Sequence, residues 1–227
     1  MKTFSRLPRQ ANQTSVTIST DEVRLDGDLH LPEGAFGIVL FVYGSGSNRH
    51  SPRNQMVAHA IREAGIGTLL LDLLTKEEEA ENARAGAPIQ HLDLLARRVV
   101  GVTRWLETHP AASSLKVGYF AARTGSAAAL MAAAELGDRV TAIVSRGGRP
   151  DLAGSALRRV RSPSLLIVGS YDRIVGALNQ EAFNLLSCEK DFRTVRGATH
   201  LFAEPGKLEQ VAQLSADWFH HHMGGGQ

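Results

Sequence analysis

Five short apolar runs set the fold of this chain: "GIVLFVYG" (37–44), "GTLLLDLL" (67–74), "KVGYFA" (116–121), "VTAIVSRGG" (140–148) and "SPSLLIVGSYD" (162–172). A continuous apolar run of this length is the mark of a strand buried on both faces. Segments of helical periodicity lie between and after them: 52–64, with Pro52 near its start and Gly65 past its end, the long amphipathic 91–109, "SAAALMAAAEL" (126–136) and "NQEAFNLLS" (179–187). "DFRTVRG" (191–197) adds a last strand and "KLEQVAQLSADWFHHH" a closing helix, while "TKEEEAENARAGAPIQ" (75–90) is polar and irregular. Strand–helix alternation carries the chain back to the same edge of a sheet each time, so most strands must be parallel.

Residues 14–31 differ. They alternate apolar and polar positions and contain Asp26-Gly27, a hairpin-type turn signal, which predicts two antiparallel strands. The expected class is therefore α/β: a three-layer α/β/α sandwich, mostly parallel, with an antiparallel N-terminal hairpin. No linker or repeat divides the chain, so the expectation is a single domain over 1–227, with about 1–13 and 223–227 flexible.

Composition excludes several functions. A formal net charge of +2, with no dense basic run interleaved with aromatics, gives no nucleic-acid footprint. No apolar run reaches the roughly 18 residues that span a bilayer. Cys188 is the one cysteine, which fits a reducing compartment, and the first residues lack the apolar core of a signal peptide. The reading is a cytoplasmic protein with no cofactor and no metal; its oligomeric state is not legible. The "FHHHM" run reads as a frayed, solvated helix end, because consecutive histidines on a helix point in different directions.

In a parallel sheet, ligands gather outside the carboxyl ends of the strands. That directs attention to loops beginning at Tyr43, Leu74, Ala121, Ser145, Asp172 and His200. The first loop, "YGSGSNRHSPRN" (43–54), lets backbone approach a ligand closely. Arg123, Thr124 and Gly125 stand at a helix start, where free N–H groups favour an anion. In chain order there is a turn-tip residue, then Asp172, then His200, the order of a nucleophile–Asp–His triad on a strand–turn–helix elbow.

Together with "GSGSNRHSPRN", "LLLDLLTKEEE", "KVGYF", "VSRGGRPDLA", "LLIVGSYD" and "ATHLFAEPG", these positions resemble the dienelactone-hydrolase-like branch of the α/β-hydrolase superfamily over most of the chain. The resemblance implies an esterase or lactonase, with Asp172 and His200 as two triad members. Departures gather at the active site: relatives typically read His-Gly where this chain has Tyr43-Gly44, and Gly-x-Ser-x-Gly or a central Cys where it has Ala121-Ala122-Arg123-Thr124-Gly125. A guanidinium stays protonated at any working pH and cannot be a nucleophile.

The expected site is thus His200 as general base, Asp172 orienting it, Arg123 anchoring an anion and Tyr43 stabilising an oxyanion or donating a proton, its pKa lowered by a nearby cation. Gly44, Ser45 and Thr124 supply anion- or oxyanion-binding groups. The expected partner is a small anionic carbonyl compound. Two alternatives stay open. Arg123 could pair with Glu77, Glu78 or Glu79 and plug a dead pocket, leaving a non-catalytic binding protein. Or Thr124, Ser126, Ser145 or Cys188 could be the nucleophile of an ordinary esterase. Arg49 and Arg53 assist anion binding or pair with carboxylates, Arg146, Arg149 and Asp151 form a salt-bridge cluster, and "KEEEAE" (76–81) is a solvated face that could serve as a lid.

Overall fold

The computed structural model describes residues 12–44, 46–85 and 91–224. Eight strands form one sheet in the order β1-β2-β4-β3-β5-β6-β7-β8. Strands β1 (Asn12–Thr20) and β2 (Val23–Leu31) make the antiparallel hairpin, and β2 joins β4 (Gly67–Leu71) antiparallel. The rest, β3 (Gly37–Tyr43), β5 (Lys116–Ala122), β6 (Val140–Arg146), β7 (Ser164–Gly169) and β8 (Lys190–Val195), run parallel to β4 and to each other.

Two cores lie on the two faces, as the alternation of side chains along a strand requires. One packs Leu40, Tyr119 and Ile143 against α3 (Leu92–Thr108) and α4 (Gly125–Leu136). The other packs Phe41, Phe120 and Val144 against α1 (Pro52–Glu63) and α6 (Lys207–Met223). The architecture is the three-layer sandwich that the apolar runs predict. No helix among the described residues is long and apolar enough to cross a membrane.

Four local expectations need correction. The hairpin turns at Asp21-Glu22, both left-handed (φ 49° and 62°), not at Asp26-Gly27. Two positive-φ residues are what a two-residue turn of this hand requires. Gly27 instead lies inside β2 against Leu71, where a Cβ would stand 3.0 Å from the Leu71 Cβ. The polar segment after β4 contains a helix, α2 (Lys76–Ala85), opened by a reciprocal cap in which Thr75 N–H donates to Glu78 and Glu78 N–H to Thr75 Oγ1 (2.8 and 3.3 Å). Helix α5 (Arg173–Leu185) starts six residues before the expected segment. Finally, residues 12 and 13 belong to β1 and Met223 to α6; residues 1–11 and 225–227, expected to be flexible, lie outside the described residues.

Candidate functional site

At the carboxyl edge of the sheet, β5 passes into α4 through Arg123, which adopts φ +54°. A side chain in this region costs about 1 kcal/mol or more, and such strain concentrates at functional sites. The turn is held by glycines. A Cβ at Gly125 would run into the Val42 carbonyl and Tyr43 Cα, and one at Gly44 into Thr124. Arg123 O accepts from Ser126 N–H and Arg149 N–H (3.2 and 2.9 Å), and Ala127 N–H bonds back to Thr124 O. Among the described residues the N–H groups of Thr124 and Gly125 make no turn or cap hydrogen bond, as expected of the first donors of a helix. Ser45, the third residue expected to bind an anion, lies outside the described residues.

Asp172 and His200 meet as the chain order predicts. Asp172 is the N-cap of α5: one carboxylate oxygen accepts from Val175 N–H (3.3 Å) and the other faces His200 Nδ1 at 2.8 Å. The cap fixes the carboxylate, and the carboxylate fixes the ring. With Nδ1–H donated to Asp172, Nε2 is the nitrogen left to take a proton. The His200 side chain is 40% exposed and Asp172 17%, so the base is more open to solvent than its orienting group. Gly147 (φ +50°) seats the ring from below: a Cβ there would stand 3.5 Å from Nδ1.

Tyr43 takes a different role from the expected one. Its phenol is buried and donates to Asp72 Oδ1 at 3.0 Å. Burial, then the Asp72 charge, push its pKa well above the ordinary tyrosine value, the reverse of the lowering expected. Asp72 also accepts from the Arg49 backbone N–H (2.9 Å) and from Arg49 Nη1 (2.6 Å), so Arg49 is a paired residue that ties the first loop to the end of β4. Beside this knot is a cavity of about 430 Å³ lined by Gly44, Gly46, Asp72, Thr75, Lys76 and Glu79. Asp72 is the member of this group that the sequence reading missed; its signal is its place directly after a buried strand.

The acidic run does not neutralise Arg123. Glu78 is engaged by Arg98 through both guanidinium nitrogens (2.6 and 2.7 Å), and Glu79 accepts from Gly46 N–H (2.7 Å). Among the described residues no carboxylate forms an ion pair with Arg123 or with Arg53. The expected arginine cluster after β6 also divides. Arg149 pairs with Asp151 at 2.8–3.2 Å, while Arg146 stands on the opposite face of the sheet, 6.0 Å from the centre of the Phe120 ring. The cause is strand alternation: Ser145 faces α4, so Arg146 faces α1.

Three of the alternative nucleophiles, Ser126, Ser145 and Cys188, are buried or remote from His200. Ser126 and Ser145 are fully buried and bonded to each other at 2.8 Å. Cys188 precedes β8 at the opposite edge of the sheet, with its Sγ 3.8 Å from Ser164 Oγ and its thiol pKa raised by burial. The histidine run is not frayed: α6 continues to Met223, and His222 packs at a tilt against Trp218 with ring centres 4.3 Å apart. His221, His222 and Glu189 have ligand atoms within 4.8 Å of one another at that same far edge, a geometry that could hold a metal ion but is remote from His200.

No protein-family profile matches the chain. A crystal structure of dienelactone hydrolase from Anabaena variabilis does: 52% identity, 94% of this chain and 99% of that one, with a TM-score of 0.91. This chain belongs to the dienelactone hydrolase family. Est1E from Butyrivibrio proteoclasticus, solved with ferulic acid bound, shares the fold at 14% identity (TM-score 0.78, 92% of this chain and 100% of that one). Two Mycobacterium tuberculosis proteins named for phosphoribosyl transfer are 51% identical over 210 residues, which is 92% of this chain but 46% of theirs. The chain spans about half the length of those relatives. In this dienelactone hydrolase family member the Asp172–His200 pair and the β5–α4 elbow occupy the carboxyl edge of the sheet, where such α/β folds place their ligands.

Proposed function

We propose that this protein is a dienelactone-hydrolase-like enzyme that works without a Ser or Cys nucleophile, by His200–Asp172 acid–base chemistry on a small anionic carbonyl compound anchored by Arg123. The observation that carries this reading is the pairing of an intact Asp–His couple (2.8 Å) with an arginine at the strained tip of the elbow. A permanent cation there cannot form an acyl-enzyme, but it can hold a carboxylate or phosphate, or offset an enolate or oxyanion as it develops.

In a hydrolysis or lactone opening, His200 Nε2 would take a proton from water as the oxygen bonds to the carbonyl carbon. The N–H groups of Thr124 and Gly125 would receive the oxyanion, and His200 would return the proton to the leaving oxygen. The same base and cation also serve lactone closing, proton transfer next to a carbonyl, or C–C cleavage. Tyr43 would act through Asp72, holding the first loop rather than donating to substrate. Phosphoribosyl transfer is not assigned: the mycobacterial proteins named for it are more than twice as long as the matched segment.

A fluorophosphonate probe should leave the native protein unlabelled; stoichiometric labelling would overturn the reading of the elbow. Turnover found in a panel of lactones and esters of anionic acids should fall by about 10²–10⁴-fold in His200→Ala. Unchanged turnover in both His200→Ala and Arg123→Ala would remove the proposal. If Arg123→Ala alone abolishes binding and no panel member turns over, the scaffold serves as a binding protein.

A further inference from the structure

We infer that Arg53, Arg123 and Arg146 together form a binding site for a dianionic phosphoryl group at the carboxyl edge of the sheet, so that the natural ligand is a phosphorylated small molecule. The inference rests on the reading of Arg123 as an anion anchor and narrows which anion it anchors.

Three separate elements bring these side chains to the same edge. Arg146 ends β6 in register with Ala122, the residue before Arg123, and Ala122 is in turn in register with Tyr43. Its side chain lies on the α1 face, over Phe120. Arg53 sits in the first turn of α1, on that face. Arg123 Nη1 reaches Gly46 of the first loop, 3.4 Å from where a Cβ would stand. Arg146 is 8% exposed, and its Nη1 is fully covered with no hydrogen-bond partner among the described residues. Burial, and after it the cations of Arg53 and Arg123, pull its pKa down to about 10.

A buried guanidinium is normally matched by a carboxylate, because an unpaired charge in a poorly solvated position is costly. Here three cations stand at one edge of the sheet and none has an ion-pair partner among the described residues. A single carboxylate would leave most of that charge unmatched. A phosphate monoester carries close to two negative charges and three acceptor oxygens, and arginine's planar fork fits phosphate oxygens in pairs. The adjoining N-terminus of α1 adds its dipole in the same sense. Phosphate is therefore the chemistry that best satisfies the cluster.

Calorimetric titration at pH 8, where phosphate is a dianion, tests this with inorganic phosphate, ethyl phosphate and acetate. Both phosphates should bind one-to-one and at least about tenfold more tightly than acetate. Ethyl phosphate equal to or tighter than inorganic phosphate marks an organic ester as the occupant; the reverse preference marks the free ion. Arg53→Ala and Arg123→Ala should each weaken phosphate by about tenfold or more. Arg146→Lys, which keeps the charge but not the fork, should weaken it as well, with circular dichroism confirming the fold. Acetate binding as well as phosphate, or phosphate affinity unchanged in both alanine variants, would overturn the site. His200→Ala should still bind phosphate, which separates this test from the preceding one. Phosphate binding with turnover indifferent to His200 sinks the acid–base chemistry alone. Turnover that needs His200 without any preference for phosphate sinks the phosphoryl site alone.

Discussion

Two arginines are buried among the described residues, and they live under opposite conditions. Arg98, on α3, is 1% exposed and surrounded by acceptors: both Glu78 oxygens, the Leu73 carbonyl at 2.7 Å and, at 3.9 Å, Asp21 of the hairpin turn. Arg146, at the end of β6, is nearly as covered and has cations for neighbours. Arg98 joins the hairpin, the end of β4 and α2 into one unit. Arg146 makes no ion pair among the described residues and lies against the Phe120 ring. A charge that is buried and matched is structural; a charge that is buried and unmatched costs stability, and chains keep such residues where binding or catalysis needs them.

The largest expected effect is on the structural side. Arg98→Ala removes one partner of a buried pair and strands Glu78, which should cost about 3–5 kcal/mol in urea unfolding. A loss below about 1 kcal/mol would mean that the α2 anchor is solvated like an ordinary surface pair, and the contrast with Arg146 would fail.

Arg146→Met should move stability the other way. A flexible apolar side chain against Phe120 replaces an unmatched charge, and the expected gain is about 1–4 kcal/mol in phosphate-free buffer. Adding phosphate should stabilise the wild type and not the variant, narrowing the gap by mass action. A destabilised Arg146→Met protein would show that the guanidinium has a role within the fold.

Arg123→Gly isolates the backbone contribution at the elbow. Glycine accepts φ +54° without a Cβ clash, so thermal unfolding should shift upward by about 1 kcal/mol while anion binding is lost. No gain would place the strain elsewhere than in the tip residue.

These contrasts also explain what the sequence could and could not convey. The sheet was legible because buried parallel strands are apolar throughout, and Asp172 with His200 because their positions follow from chain order. Helix α2 was not, since its stability comes from the Thr75–Glu78 cap and the Arg98 pair rather than from an apolar stripe. Proximity in sequence groups Arg146 with Arg149 and Asp151, but a strand sends neighbours to opposite faces. Nothing near Tyr43 in the sequence marks Asp72, 29 residues away, as the group that claims its phenol. Pattern reveals elements; partnerships between distant polar groups need the fold.

The smallest effect is the pH dependence, and it separates the two arginines most cleanly. Hydrogen bonding from Arg98 is the main cause that holds the Glu78 pKa below the usual carboxylate value. A carboxylate with a depressed folded-state pKa contributes stability that is fully present above its unfolded value, about 4.3, and is lost as pH falls through the folded one. The difference in unfolding free energy between wild type and Glu78→Gln should therefore be constant from pH 7 to about pH 5 and shrink below that. Arg146 has no such acid limb. Its folded-state pKa, near 10, lies below the unfolded value, so between the two the unfolded chain holds more protons and stability rises with pH. The advantage of Arg146→Met over wild type should stay level through the acid range and close only as pH climbs through about 10. If the Arg146→Met advantage instead changed below pH 5, a carboxylate would have to be paired with Arg146, and the two buried arginines would be of one kind.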